Sequence, residues 1–271
     1  MTAVTPTFQR ELRVHVLLDN APHYKGSIHD DAVARAKGYK AALIPGAFVY
    51  GHISRVAIEA WGERWAATGA MSARFRKPVY NGDDLVVGAG ALVDDGSFVR
   101  SEVSVANGDG EVVATGWIAL PHEPLIAPGI GRLKVLPTLD VPPAIKAGEL
   151  QVGAPLHSRD RLLTEADFAT SLSAFAERHP TYTDPGFVHS GMLMRMAMGD
   201  TNSSWKLPGP VVLVETETQH FATVYPGARI RISGRVVEVY ERKGKHYLVS
   251  EEFLLADDTV AARFLRTQIY G

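Results

Sequence analysis

Two stretches of the sequence repeat one another across a proline-rich divide. Val79-Tyr80-Asn81-Gly82 follows Phe75, and Val224-Tyr225-Pro226-Gly227 follows Phe221. Upstream, Pro45-Gly46-Ala47 matches Ser190-Gly191-Met192, and Gly46 to Gly82 is the same interval as Gly191 to Gly227. Two anchors at one interval, each between an apolar helical stretch and a strand, point to a duplicated unit. Between the copies lie Pro121, Pro124, Pro128, Pro137, Pro142, Pro143 and Pro155. Such a segment breaks helices and confines strands to edges. Residues 126–155 therefore read as a linker, with one short strand expected at 133–135. The flanking units read as residues 1–125 and 156–271.

Both units show the same order of elements. Residues 12–18 alternate as a strand. Residues 46–68 predict one helix, because Phe48, Val49, His52, Ile53, Val56, Ala60 and Trp61 fall at helical spacing. Gly69 is its expected C-cap. Strands are then expected at 72–79, 85–93, 98–106 and 111–120. The turns between them, such as Asn81-Gly82-Asp83 and Asp94-Asp95-Gly96, carry hairpin chemistry. The second unit gives a helix at 190–199 and strands at 211–218, 228–240, 246–255 and 260–270. One long apolar helix followed by an antiparallel meander is an α+β recipe in which the sheet curls round the helix.

Composition narrows the function classes. The formal net charge is -2, with no long run of either sign. That argues against a nucleic-acid partner and against a membrane surface. There are no cysteines, which excludes disulfides, thiolate nucleophiles and Cys-based metal sites. Residues 1–6 lack the basic-then-apolar pattern of a secretory signal, and no apolar run approaches bilayer length. A cytoplasmic location is the expectation.

Four segments carry a family resemblance. They are Ile28-His29-Asp30-Asp31, Ala34-Arg35-Ala36-Lys37-Gly38-Tyr39, Leu43-Ile44-Pro45-Gly46, and the run from Phe75 through Pro78-Val79 to Gly82-Asp83. Together they resemble the MaoC-like hydratases, which include the (R)-specific enoyl-CoA hydratases. The likeness covers the first unit well. It reaches the second only through the helix, the Val-Tyr-x-Gly turn and the strand order. It implies a double hotdog: two tandem units, each an antiparallel sheet wrapped around a central helix. Two departures stand out. The family's Asp, five residues before the His, falls on Tyr24, and the interval from His29 to Ala34-Arg35 is one residue short. In the second unit, residues 176–182 show no Asp/His pair.

The resemblance implies hydration or dehydration at a 2-enoyl thioester, a hydro-lyase reaction of fatty-acid metabolism. That chemistry needs an acid/base group and donors for the thioester oxygen as negative charge develops on it. His29 is the expected acid/base residue. Asp30, Asp31, Asp19 and Asn20 are the candidate partners, although Asp31 also reads as the N-cap of a short helix at 32–37. Pro45, Gly46 and Ala47 at the helix start, with Tyr39 and His189, are the expected substrate-binding residues. His23, His52, His179 and His220 read as structural. Arg74, Arg76 and Lys77 suit either a CoA phosphate or a solvated strand face. One site per chain, roofed by the second unit, is expected. The expected substrate is an acyl thioester on CoA or on an acyl carrier protein, with no cofactor and no metal. A non-catalytic acyl-CoA or small hydrophobic-ligand binder and a thioesterase are the competing readings. Glu59 and Glu63 lie too far along the helix for the latter. Both a monomer and a homodimer of double-hotdog chains remain open.

Overall fold

The computed structural model describes residues 9–18, 24–183 and 186–271. Asp19, Asn20 and His23 lie outside the described residues. Strands and helices are numbered in chain order.

In the first unit, β1 (Glu11–His15), β3 (Asp84–Ala89), β5 (Phe98–Asn107), β6 (Val112–Pro121) and β2 (Ala70–Phe75) lie side by side in that order, all antiparallel. The short β4 (Val93–Asp94) hangs on β5. The second unit repeats the order with β7 (Arg161–Leu162), β9 (Arg229–Arg242), β10 (Lys245–Ala256), β11 (Thr259–Ile269) and β8 (Val212–His220). β2 and β8 pair antiparallel, Met71 opposite Thr218 and Ala73 opposite Thr216, so one continuous sheet crosses both units. This junction covers two strand edges that would otherwise offer unpaired backbone groups.

The repeated turn closes in the same way twice. Gly82 and Gly227 both sit at φ +89°, a conformation that costs glycine nothing. The Gly82 amide donates to Val16, and Val16 donates to Asp83. The Gly227 amide donates to Leu163, and Leu163 donates to Ala228. The equal interval in the sequence is thus a repeated tertiary anchor, tying each edge strand to its unit.

Each sheet half wraps a helix, α2 (Gly46–Trp61) in the first unit and α5 (Ser190–Ser203) in the second. α2 is buried nearly all round, from Ala47 and Phe48 through Ile53 to Ile58, as a helix enclosed by a sheet must be. Buried side chains of both units form one hydrophobic cluster. The two units therefore share a core.

The helix expected over 46–68 is broken. Gly62 takes φ +57° and ψ -144°, a region open to glycine alone, and turns the chain into α3 (Glu63–Thr68). Gly69 is extended, with φ -73°. It is needed because a Cβ there would overlap the indole of Trp65. A second helix was not expected: α4 (Glu165–Ala174), opened by a reciprocal cap between Thr164 and Asp167. No strand forms at 133–135. That stretch follows a 3-10 turn at Ile130–Arg132, and the segment beyond it is held by isolated bridges such as Ala144 with Lys206. Leu150 and Leu156 bury beside Trp205, Val236, Leu248 and Tyr270.

Candidate active site

His29 is held in a tightly bonded loop above the start of α2. Ser27 donates from both its amide and its hydroxyl to the Tyr24 carbonyl. The His29 amide in turn donates to the Ser27 hydroxyl at 3.1 Å. Leu43 donates its amide to Ile28, and the His29 Nδ1 lies 2.6 Å from the Leu43 carbonyl. A carbonyl can only accept, so Nδ1 carries the proton. The neutral ring then has its lone pair on Nε2.

The carboxylates beside His29 serve the loop. Asp30, not Asp31, caps α1 (Asp31–Ala36); its two oxygens accept from the amides of Ala32 and Gly26, both at 3.0 Å. Asp31 accepts from the Ala42 amide at 3.1 Å and pairs with Arg35 at 2.7 Å. These donors lower both carboxyl pKa values, the Gly26 amide foremost for Asp30 and Arg35 foremost for Asp31. Neither is hydrogen-bonded to His29. The expectation that one of them orients the ring is corrected: the Gly26 and Ala32 amides claim Asp30, and the Ala42 amide and the Arg35 guanidinium claim Asp31. Tyr24, standing where the family pattern has its Asp, packs edge-on to His29 with ring centroids 5.4 Å apart. Arg195 of α5 donates to its hydroxyl at 3.2 Å.

A cavity of about 450 Å³ opens beside His29. From the first unit Tyr39, Pro45, Gly46 and Phe75 line it. From the second come Met198, Asn202, Leu213 and Gln268. Arg76, Lys77 and Lys245 give it positive charge, while Arg74 lies exposed on β2 and does not line it. A second cavity of about 430 Å³ shares Ile28, His29, Asn202 and Val211 with the first, so these four stand between the two. Ala47 is fully buried behind the wall.

The start of α2 faces this space. Its N-cap is Pro45, which supplies no side-chain hydrogen bond to the first-turn amides. Those N–H groups and the positive end of the helix dipole are suited to an oxygen bearing negative charge. Gly46 keeps the approach open, since a Cβ there would stand 3.1 Å from Leu213 Cδ2.

The start of α5 is sealed. Its N-cap His189 accepts from the Gly191 amide through its own Nδ1 at 3.0 Å, and its ring stacks on Phe175 with centroids 4.3 Å apart. Gly51 of α2 comes up against the same ring. His189 is fully buried and does not line the cavity, which corrects its expected role in substrate binding. Around it lie His52, Tyr182, Glu177 and Arg55. Burial holds His52 down at about 3 and also lowers His189. Burial would raise the Glu177 carboxyl, but His189, the His179 amide and Arg55 outweigh it and bring it to about 2. The Glu177–His189 separation of 3.6 Å is too long for a hydrogen bond. This cluster is a packed polar interior between the helices.

Among the described residues, no group of three or more His, Asp or Glu is placed to hold a metal ion. No described helix is long and apolar enough to cross a membrane.

Solved structures share this architecture along the whole chain. One described as a MaoC domain protein dehydratase from Chloroflexus aurantiacus superposes with a TM-score of 0.65 at 14% identity, covering 100% of this chain and 99% of that one. The fold is a double hotdog, similar to that of MaoC-domain dehydratases. A Mycobacterium tuberculosis protein described as having a double hotdog fold gives 0.63 at 17% identity, with 96% of both chains covered. A Lactobacillus plantarum structure described as an oleoyl thioesterase gives 0.53 at 8% identity, again with 96% of each covered. No protein-family model and no curated protein sequence matches the chain.

The sequence pointed to the first unit's half of the cavity and missed the second's. Asn202 and Gln268 come from distant segments. The one local signal was the polar run Asp200-Thr201-Asn202-Ser203-Ser204 ending an otherwise Met-rich helix.

Proposed function

We propose that the chain is an acyl-thioester hydratase or dehydratase, adding or removing water at a 2-enoyl thioester. The observation that carries this reading is the meeting, in one cavity, of His29 with Nδ1 protonated and the uncapped start of α2 at Gly46. In the hydration direction, His29 Nε2 takes a proton from water as the water oxygen bonds to Cβ. The C=C electrons move toward the thioester, whose oxygen gains negative charge against the first-turn amides of α2. The imidazolium then returns its proton to Cα, so one water is consumed and His29 ends as it began. Dehydration is the reverse. An acid/base group of this kind contributes about 10²–10⁴-fold in rate. The dehydratase and thioesterase descriptions of proteins with this fold support an acyl thioester as the substrate class. Arg76, Lys77 and Lys245 suit the phosphates of a CoA carrier.

One observation favours a second reading. Tyr24 occupies the position of the family's Asp and packs on His29, which suits a protein that binds acyl thioesters without turning them over. Absorbance at the enoyl-thioester band separates the two. Loss of the band on mixing with a trans-2-enoyl-CoA supports the enzyme, and saturable binding with an unchanged band supports the binder.

A further inference from the structure

Asn202 lines the same two cavities as His29. Among the described residues lining the cavities, only Ile28, His29, Asn202 and Val211 belong to both, and His29 and Asn202 are the two of these with polar side chains. They come from different units. Asn202 lies in the last turn of α5, and its Oδ1 accepts from Gln268 Nε2 at 3.1 Å. Gln268 is fully buried in β11. An amide oxygen has two lone pairs, so this bond leaves one acceptor position on Asn202.

The support behind Asn202 is unusually polar for a core. Thr201 is bonded to both Glu252 and Arg266, each fully buried, and Arg266 Nε donates to Glu252 at 2.9 Å. Asp200, also fully buried, accepts from Ser158 and Arg161. Three consecutive helical residues point in three directions, and each is anchored by side-chain hydrogen bonds. Such an arrangement fixes a side chain within the narrow tolerances that catalysis needs. The matching position of α2 lacks it: counted from the N-caps Pro45 and His189, the residue of α2 that corresponds to Asn202 is the buried Ile58.

We infer that Asn202 is a second catalytic residue, its amide oxygen accepting a hydrogen bond from the water that adds to, or leaves, Cβ. The water then donates one hydrogen to His29 Nε2 and the other to Asn202 Oδ1, which aims its remaining lone pair at Cβ. Gln268 is the positioning residue that turns the Asn202 oxygen toward the water. The inference rests on the hydratase reading above.

Kinetics of trans-2-enoyl-CoA hydration, with His29→Ala run in parallel, test it. Asn202→Leu removes the acceptor at similar size. Its kcat is expected to fall tenfold or more, on the order of one lost transition-state hydrogen bond, with KM changed little. Asn202→Asp keeps an oxygen and adds a charge. It is expected to retain measurable turnover and to shift the acid limb of kcat/KM upward, because a nearby carboxylate favours the imidazolium. Tyr24, Lys37, Tyr39, Arg76, Lys77, Lys245 and Tyr247, which lie beside His29 or line its cavities, and the adjoining Asp30 and Asp31 are the same in every variant. Wild-type kcat in Asn202→Leu, or an unmoved acid limb in Asn202→Asp, overturns the role of Asn202. If His29→Ala is inactive in the same series, the hydratase reading survives that result. A wild type inactive on every enoyl-CoA overturns both.

Discussion

Gly51 of α2 and Gly191 of α5 touch, and a Cβ on Gly191 would stand 3.1 Å from the Gly51 Cα. This contact lets the two central helices approach closely, and Phe175 fills the space beside it. Gly51→Ala would drive a methyl group into the Phe175 ring, which is itself held between Phe48 and His189. Replacing a helical glycine with alanine normally stabilises by about 1 kcal/mol. Overpacking costs about 1–3 kcal/mol, and with the ring pinned on both faces it outweighs the gain. Urea unfolding should show a net loss of about 1–2 kcal/mol. A stabilised variant would mean that the helices are not in contact there.

The polar interior around that contact predicts the response to acid. Burial lowers His52 to about 3 and His220 to about 4, and lowers His189 as well. In the unfolded chain each titrates near 6.5. The unfolded state therefore binds more protons as pH falls below that value, and stability declines with it. Stability should be intact above about pH 7 and fall steadily from there toward pH 4. Replacing His52 with Gln should flatten this slope, as followed by thermal melting between pH 7 and pH 4. An unchanged slope would show that His52 titrates normally in the folded chain.

Glu252 and Arg266 form a fully buried ion pair shared with Thr201. Removing one partner strands the other without a counter-charge, which costs about 3–5 kcal/mol. Glu252→Gln should approach that loss in chemical denaturation. The double variant Glu252→Gln with Arg266→Met should recover part of it, giving a coupling energy well away from zero. Additive effects would show that the pair is not coupled.

Gly46 controls the approach to the start of α2. Gly46→Val would fill the space next to Leu213 and Phe75. Turnover of enoyl thioesters should fall by at least about tenfold, because the oxygen can no longer reach the first-turn amides. Thermal stability should change much less. A variant that keeps full activity would place the thioester elsewhere.

The double hotdog was legible because its signals are local. The Gly82 and Gly227 turns, the hairpin sequences and the His29-to-Gly46 motif each lie within a short window, and their spacing survives in the structure. The break at Gly62 was not legible, since a single glycine inside a helical pattern is tolerated and does not by itself end a helix. The helix α4 carries its own capping signal in Thr164 and Asp167, but the stretch that follows is only weakly amphipathic and gives little helical periodicity. At the candidate site the first-unit wall followed from contiguous residues. The facing wall, Asn202 with Gln268, depends on the β2–β8 junction and on packing between units, which no local pattern encodes. His189 misled for a related reason. Its place before a helix start resembles that of a ligand-facing residue, and only tertiary structure shows the ring folded onto its own helix and covered by Phe175.

The most direct test is hydration of short and long trans-2-enoyl-CoA thioesters by the wild type and by His29→Ala. The account predicts turnover by the wild type on at least one chain length and a loss of about a hundredfold or more on removing the imidazole. A correctly folded wild type that turns over none of them, or a His29→Ala variant as fast as the wild type, would contradict it.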